Sequence, residues 1–113
     1  MSDDRVILLV TRNAGLRSAI AATLGIAGVE IVTVDSCKGA RIGAHLERAR
    51  MLIVDDELIA PDRKTWVVDL RQRAHPAKLV LLTSEPTSDW GDDDVALVPK
   101  IQAAPAILKL LRG

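Results

Sequence analysis

Three consecutive carboxylates, Asp55, Asp56 and Glu57, directly follow the apolar run from Met51 to Val54. A continuous apolar run of this kind is typical of a strand buried in a parallel sheet. Residues just past the end of such a strand lie at the carboxyl edge of the sheet, where open α/β proteins bind ligands. Carboxylate oxygens at that edge are the ligands that a hard cation such as Mg²⁺ prefers. The sequence therefore predicts that any chemistry of this chain is centred on these acids.

A second loop reaches the same predicted edge, but it carries a cation in place of acids. The run from Val6 to Val10 is typical of a first strand, and Thr11 and Arg12 follow it. A guanidinium is always charged and has no lone pair for a metal, so this loop adds nothing to a metal site. The edge is expected to have one acidic and one basic side, and we predict that Arg12 pairs with Asp55 or Asp56.

Strands alternate with helices along the rest of the chain. A first helix is predicted after Asn13, which is a good capping residue, and a second helix from Asp35 or Ser36 through Ala49. The first helix has an apolar stripe at helical spacing, formed by Leu16, Ile20 and Leu24, with Ala19 and Ala27 filling in. Further strands are predicted at 30–34, 51–54, 78–83 and 95–98.

The second half of the chain has two predicted helices and one segment without a helical pattern. A helix is predicted to begin at Asp62 or Thr65, and a last helix has Pro105 at its first position. The segment 85–94 is acidic and has no apolar stripe, so a fourth helix between the last two strands is expected to be short or missing. Trp90 in this segment is expected to fill the core in place of that helix, with an exposed partner anchor as the alternative.

This alternation predicts a three-layer α/β sandwich with a five-stranded parallel sheet in the flavodoxin-like order 2-1-3-4-5. The chain of 113 residues is the size of one domain, spanning 1–113. Fifteen acids balance fifteen Lys and Arg residues, which argues against a nucleic-acid or membrane partner. A single cysteine and the absence of any long apolar run predict a soluble, cytoplasmic protein.

With these motifs in this order, the chain resembles the receiver domains of two-component response regulators. The resemblance covers nearly the whole chain and rests on the order and spacing of Val6 to Val10, Met51 to Asp55, Leu79 to Thr83 and Val98-Pro99-Lys100. In that family, two acids after strand one and an aspartate after strand three bind magnesium, and the aspartate accepts a phosphoryl group. A Thr or Ser ends strand four, and a lysine follows strand five.

The resemblance implies a role for some positions and a departure at others. Thr83 matches the hydroxyl position and Lys100 matches the lysine, although Ile101 stands where a proline often follows. Asp55 and Asp56 both match the phosphoacceptor, the first by its place at the strand end and the second by its distance from the first loop. Glu57 matches only by its offset from the following proline. The paired acids are replaced by Thr11 and Arg12, so magnesium is expected to bind weakly or not at all.

These matches predict a degenerate receiver that acts as a protein-interaction module rather than as an enzyme, with a histidine kinase or another signalling domain as its partner. An active phosphoacceptor that uses Asp55 or Asp56 with Thr83 and Lys100 is the first alternative. The second is a sensor of a small, nucleotide-like messenger. The candidate ligand contacts for that sensor are Arg71, Arg73 and Trp90.

Overall fold

The computed structural model describes residues 6–34, 49–58, 65, 68–69, 72, 78–84 and 95–112. Its strands are β1 (Val6–Val10), β2 (Ile31–Val34), β3 (Ala49–Asp55), β4 (Lys78–Thr83) and β5 (Val95–Pro99). Its helices with described bounds are α1 (Ala14–Ile26) and α2 (Ala103–Arg112), and residues 65, 68, 69 and 72 also have helical backbone. Short 3₁₀ turns at Asp56–Leu58 and Lys100–Gln102 follow β3 and β5.

The strands form one parallel sheet in the order β2-β1-β3-β4-β5, which confirms the predicted topology. Strand β1 lies between β2 and β3, so the chain crosses over β1 to begin the second half of the sheet. At this switch point Val10 is paired with both Val34 and Val54. Ligand sites of open α/β sheets lie at the carboxyl ends of strands that flank such a point.

The central strands are buried on both faces of the sheet, as a three-layer sandwich requires. One face packs β-strand side chains against α1 and α2, through the fully buried Ile20 and Ile107. The other face has its own cluster of buried side chains, which includes Leu8, Leu52 and Leu81 with no exposed surface. These two layers hold the strands rigidly, so their carboxyl ends form a fixed edge.

Helix α1 has defined stops at both ends. The Asn13 side chain accepts a hydrogen bond at 3.1 Å from the N–H of Leu16, as expected of a helix cap. At the other end Gly28 has a φ of 77°, a conformation that costs glycine little, and Val29 donates to the Leu24 carbonyl at 2.9 Å. The turn is therefore tight enough for β2 to begin at Ile31.

Several local predictions need correction. Ala49 does not end a helix, because it is the first residue of β3, where it pairs with Val6. The last helix begins at Ala103 rather than Pro105, since the preceding 3₁₀ turn runs straight into it, and proline is tolerated within a first helical turn. Ala19 and Ala27 are exposed, so the inward stripe of α1 is formed by Leu16, Ile20 and Leu24 alone. The segment 85–94, with its predicted short or missing helix, lies outside the described residues.

No helix in the described part of the chain is long and apolar enough to cross a membrane.

Candidate functional site

The ends of β1 and β3 place Thr11 beside Asp55. Both side chains are buried, and the Thr11 hydroxyl donates a hydrogen bond to Oδ2 of Asp55 at 3.1 Å. The same hydroxyl oxygen accepts from the N–H of Asn13 at 3.0 Å, so its proton is directed towards the carboxylate. The first loop is thus joined to the end of β3 through a neutral hydroxyl.

The second oxygen of Asp55 is occupied from its own turn and from β5. Oδ1 accepts from the N–H of Glu57 at 3.1 Å, which closes the 3₁₀ turn after β3. The Lys100 ammonium lies 2.9 Å from the same oxygen. Both oxygens of this carboxylate therefore have hydrogen-bond partners within the chain.

Lys100 contacts all three consecutive acids. Its Nζ lies 2.9 Å from Asp55, 3.2 Å from Oε1 of Glu57 and 3.4 Å from Oδ1 of Asp56. The Lys100 side chain is 14% exposed and the Asp55 side chain is 3% exposed, whereas the Glu57 side chain is 74% exposed. A buried ion pair between Lys100 and Asp55 is therefore flanked by a solvated carboxylate on its outer side.

The sheet and the turn after β5 explain why the lysine reaches this point. Pro99 is paired with Thr83 at the end of β4, and the chain then turns immediately into the 3₁₀ segment that begins with Lys100. Thr83 is itself buried, next to the turn that carries the lysine. The ends of β3, β4 and β5 thus bring four predicted site residues to the same edge of the sheet: Asp55, Asp56, Thr83 and Lys100.

The surroundings of Lys100 raise its pKa. Burial is the largest single effect and lowers this pKa, but hydrogen bonds to Asp55 and Glu57 and the charges of Asp55 and Asp56 together raise it by more. The resulting pKa lies above the ordinary value of 10.5. The ammonium is therefore a permanent positive charge at neutral pH.

This shift predicts a loss of stability at high pH. A pKa raised by folding stabilises the folded state fully below the unfolded value of 10.5, and this contribution disappears as the pH rises through the folded value. We expect the free energy of unfolding to fall more steeply above that pH in the unmodified chain than in Lys100→Met. Urea denaturation of both proteins between about pH 8 and 12 measures the difference. Parallel curves would contradict the coupling of this ammonium to the acids.

The other predicted site residues have varied positions. Asp56 is buried at the start of the 3₁₀ turn and contacts Lys100, and the assignment of Asp55 or Asp56 as the phosphoacceptor equivalent stays a prediction. Arg12 is exposed on the first loop, and its pairing with Asp55 or Asp56 stays a prediction. The three candidate contacts for a nucleotide-like ligand, Arg71, Arg73 and Trp90, lie outside the described residues.

Two contacts were not predicted from the sequence. The donation from Thr11 to Asp55 follows from the register, because Val10 pairs with Val54 and the next residues must lie side by side. The contact of Glu57 with Lys100 depends on the 3₁₀ turn after β3, which folds the third acid back over the strand end. A three-residue turn of this kind has little sequence signal beyond the acids themselves.

The fold is that of known receiver domains. Over 96% of both chains it matches the chemotaxis protein CheY4 of Vibrio cholerae, with a TM-score of 0.70 and 22% sequence identity. It also matches HP1043, an orphan response regulator of H. pylori, with a TM-score of 0.70 and 17% identity over 99% of this chain and 97% of that one. No protein-family model and no curated protein sequence matches the chain.

Proposed function

We propose that the chain is a degenerate receiver domain, a protein-interaction module of two-component signalling without efficient magnesium-dependent phosphorylation. The observation that carries this proposal is the state of Asp55: Oδ2 accepts from Thr11, and Oδ1 accepts from Lys100 and from the Glu57 N–H. The carboxylate that would accept a phosphoryl group is held as part of an internal network. The expected partner is a histidine kinase or another signalling domain, and the expected compartment is the cytoplasm.

The residues at this edge do not fit a magnesium ion. Mg²⁺ requires near-octahedral oxygen ligands and gives up its water reluctantly. The first loop offers Thr11, whose hydroxyl proton points at Asp55, and an arginine in place of the two expected carboxylates. The acids of the third loop already converge on the Lys100 ammonium. A bound cation would have to displace that lysine, and the described residues contain no group of three or more acid, His or Cys side chains that is placed to hold a metal ion.

The same network works against phosphoryl transfer to Asp55. Such a transfer requires positive groups that neutralise the negative charge of the transferring phosphoryl oxygens, and a carboxylate oxygen free to attack. Lys100 has one positive charge, but its ammonium contacts Asp55, which is the nucleophile, rather than a phosphoryl oxygen. Attack by Asp55 would first require the loss of the Lys100 ion pair or of the buried Thr11 hydrogen bond.

The direct test is an amide NMR titration with Mg²⁺ and then with beryllofluoride, a mimic of the phosphoryl group. We expect no saturable shift at Asp55, Asp56, Thr83 or Lys100 with up to about 10 mM Mg²⁺, because Lys100 already contacts the acids and the first loop supplies no carboxylate. The matched variant carries Thr11→Asp and Arg12→Asp together, which restores the two acids at the first loop. We expect this variant to bind Mg²⁺ saturably and to gain thermal stability from it.

Saturable shifts at all four residues in the unmodified chain would overturn the proposal and favour an active phosphoacceptor. That alternative is supported by one observation, namely that Lys100 lies 2.9 Å from Asp55 with Thr83 buried at the neighbouring strand end. Stable aspartyl phosphorylation by a small phosphodonor, detected by mass spectrometry, would establish it. The third function, a sensor of a nucleotide-like messenger, stays a prediction.

A further inference from the structure

A cavity of about 500 Å³ lies between the edge strand β5 and helix α2. Lys78, which is the first residue of β4, is one of its lining residues. Because the strands are parallel, the start of β4 is at the opposite edge of the sheet from Asp55. None of the residues that line the cavity is one of the site residues described above.

Two of the residues that line the cavity have very small side chains. Ala96 on β5 and Ala106 on α2 each contribute only a methyl group to the lining. Leu97, Val98 and Leu110 complete the apolar wall. Larger residues at either alanine would fill the space, as the side chain of Ile107 does in the adjacent core.

Two lysines supply the polar part of the lining. Lys109 lies on the same stripe of α2 as Ala106 and Leu110, at helical spacing, and Lys78 lines the cavity from the start of β4. Both residues lie at the surface or close to it, and neither forms an ion pair with an acid among the described residues. Their methylene stems can extend the apolar wall while the ammonium groups stay hydrated at the mouth.

We propose that this cavity binds a small organic anion with an apolar body, such as a medium-chain aliphatic carboxylate. Its volume is within the range of small-molecule sites, which are mostly apolar and have a few polar groups that fix orientation. The apolar body lies against Ala96 and Ala106, and the carboxylate faces Lys109 and Lys78. The lining has no arginine and no aromatic ring, so it offers nothing to stack on a nucleotide base.

The experiment is an amide NMR titration of the whole chain with decanoate, kept below its micelle concentration. We expect saturable shifts at Ala96, Val98, Ala106 and Leu110. Acetate, which has the charge without the chain, and decanol, which has the chain without the charge, are the ligand controls. We expect no saturable shift with acetate, and with decanol an affinity roughly five- to tenfold weaker than with decanoate.

Variants of the protein separate the apolar part from the charged part. Ala106→Leu fills the cavity with a good helix former, and we expect it to abolish decanoate binding while far-UV circular dichroism stays unchanged. Lys78→Gln and Lys109→Gln should each weaken binding roughly two- to fivefold. The matched control is Arg50→Gln, an exposed cation on β3 that does not line the cavity and should leave the affinity unchanged.

Several outcomes would overturn the proposal. Absence of saturable shifts, or shifts that survive Ala106→Leu in a folded protein, would show that the cavity takes no such ligand. Equal affinity for decanol and decanoate would remove the role of the lysines. If Ala106→Leu does not fold, Ala96→Val is the second cavity-filling variant. Full affinity of Ala96→Val for decanoate would also contradict the proposal. None of these results bears on the acids at the opposite edge.

Discussion

Replacing Lys100 by methionine is expected to lower the free energy of unfolding by about 3 kcal/mol at pH 7. The substitution keeps most of the apolar stem but leaves Asp55 and Asp56, whose side chains are 3% and 8% exposed, without their shared ammonium. Removing one partner of a buried ion pair leaves an uncompensated charge, which is far more costly than never having built the pair. Urea denaturation followed by circular dichroism measures the difference.

The matched control for this variant is Lys109→Met, the same change at an exposed helix position, which should alter stability by less than about 0.5 kcal/mol. A loss no greater than the control's would mean that the lysine does not compensate the acids.

Replacing Ile53 by alanine is expected to cost about 3 to 4 kcal/mol of unfolding free energy. Ile53 has no exposed surface and lies in the central strand β3, packed in the core cluster that includes Ile20 and Ile107 from both helices. Central strands between two layers cannot move to fill a cavity, so both the lost burial and the remaining space contribute. Chemical denaturation of the purified variant gives the value.

Ile101→Ala is the matched control, since the same side chain is 92% exposed there. We expect a change of less than about 0.5 kcal/mol. If the two variants lose similar amounts, Ile53 does not lie in a rigid core. We also expect the pKa of Lys100 to be the same in folded Ile53→Ala as in the unmodified chain. The substitution lies within β3 and does not touch the acids that contact Lys100.

The frame of the fold follows from local sequence patterns. The apolar runs of β1 and β4 have the predicted bounds, and alternation with helices is enough to give the order of the sheet. The grouping of Asp55, Asp56, Thr83 and Lys100 follows in turn, because the ends of parallel strands meet at one edge. These features depend on the spacing of apolar residues, which is visible in a single sequence, and on the right-handed crossovers that parallel sheets share.

Other features depend on contacts between distant segments. Ala49 is predicted in a helix because it continues the apolar face of Ile42 and Leu46 at helical spacing, but it pairs with Val6 of β1 and belongs to β3. The convergence of three acids on Lys100 depends on two short 3₁₀ turns, whose geometry is fixed by the strands before them. The cavity beside β5 is lined by two alanines 10 residues apart, which only the folded chain brings to one site.

The central place of β1 has a consequence for synthesis on the ribosome. Its neighbours in the sheet, β2 and β3, are both made after it, and the second of them ends at Asp55. A nascent chain therefore has to carry the apolar segment Val6–Val10 unpaired on one side until β3 has left the exit tunnel. Pairings of such long sequence separation form late and slowly, so this apolar segment stays open to non-native contacts until β3 is available.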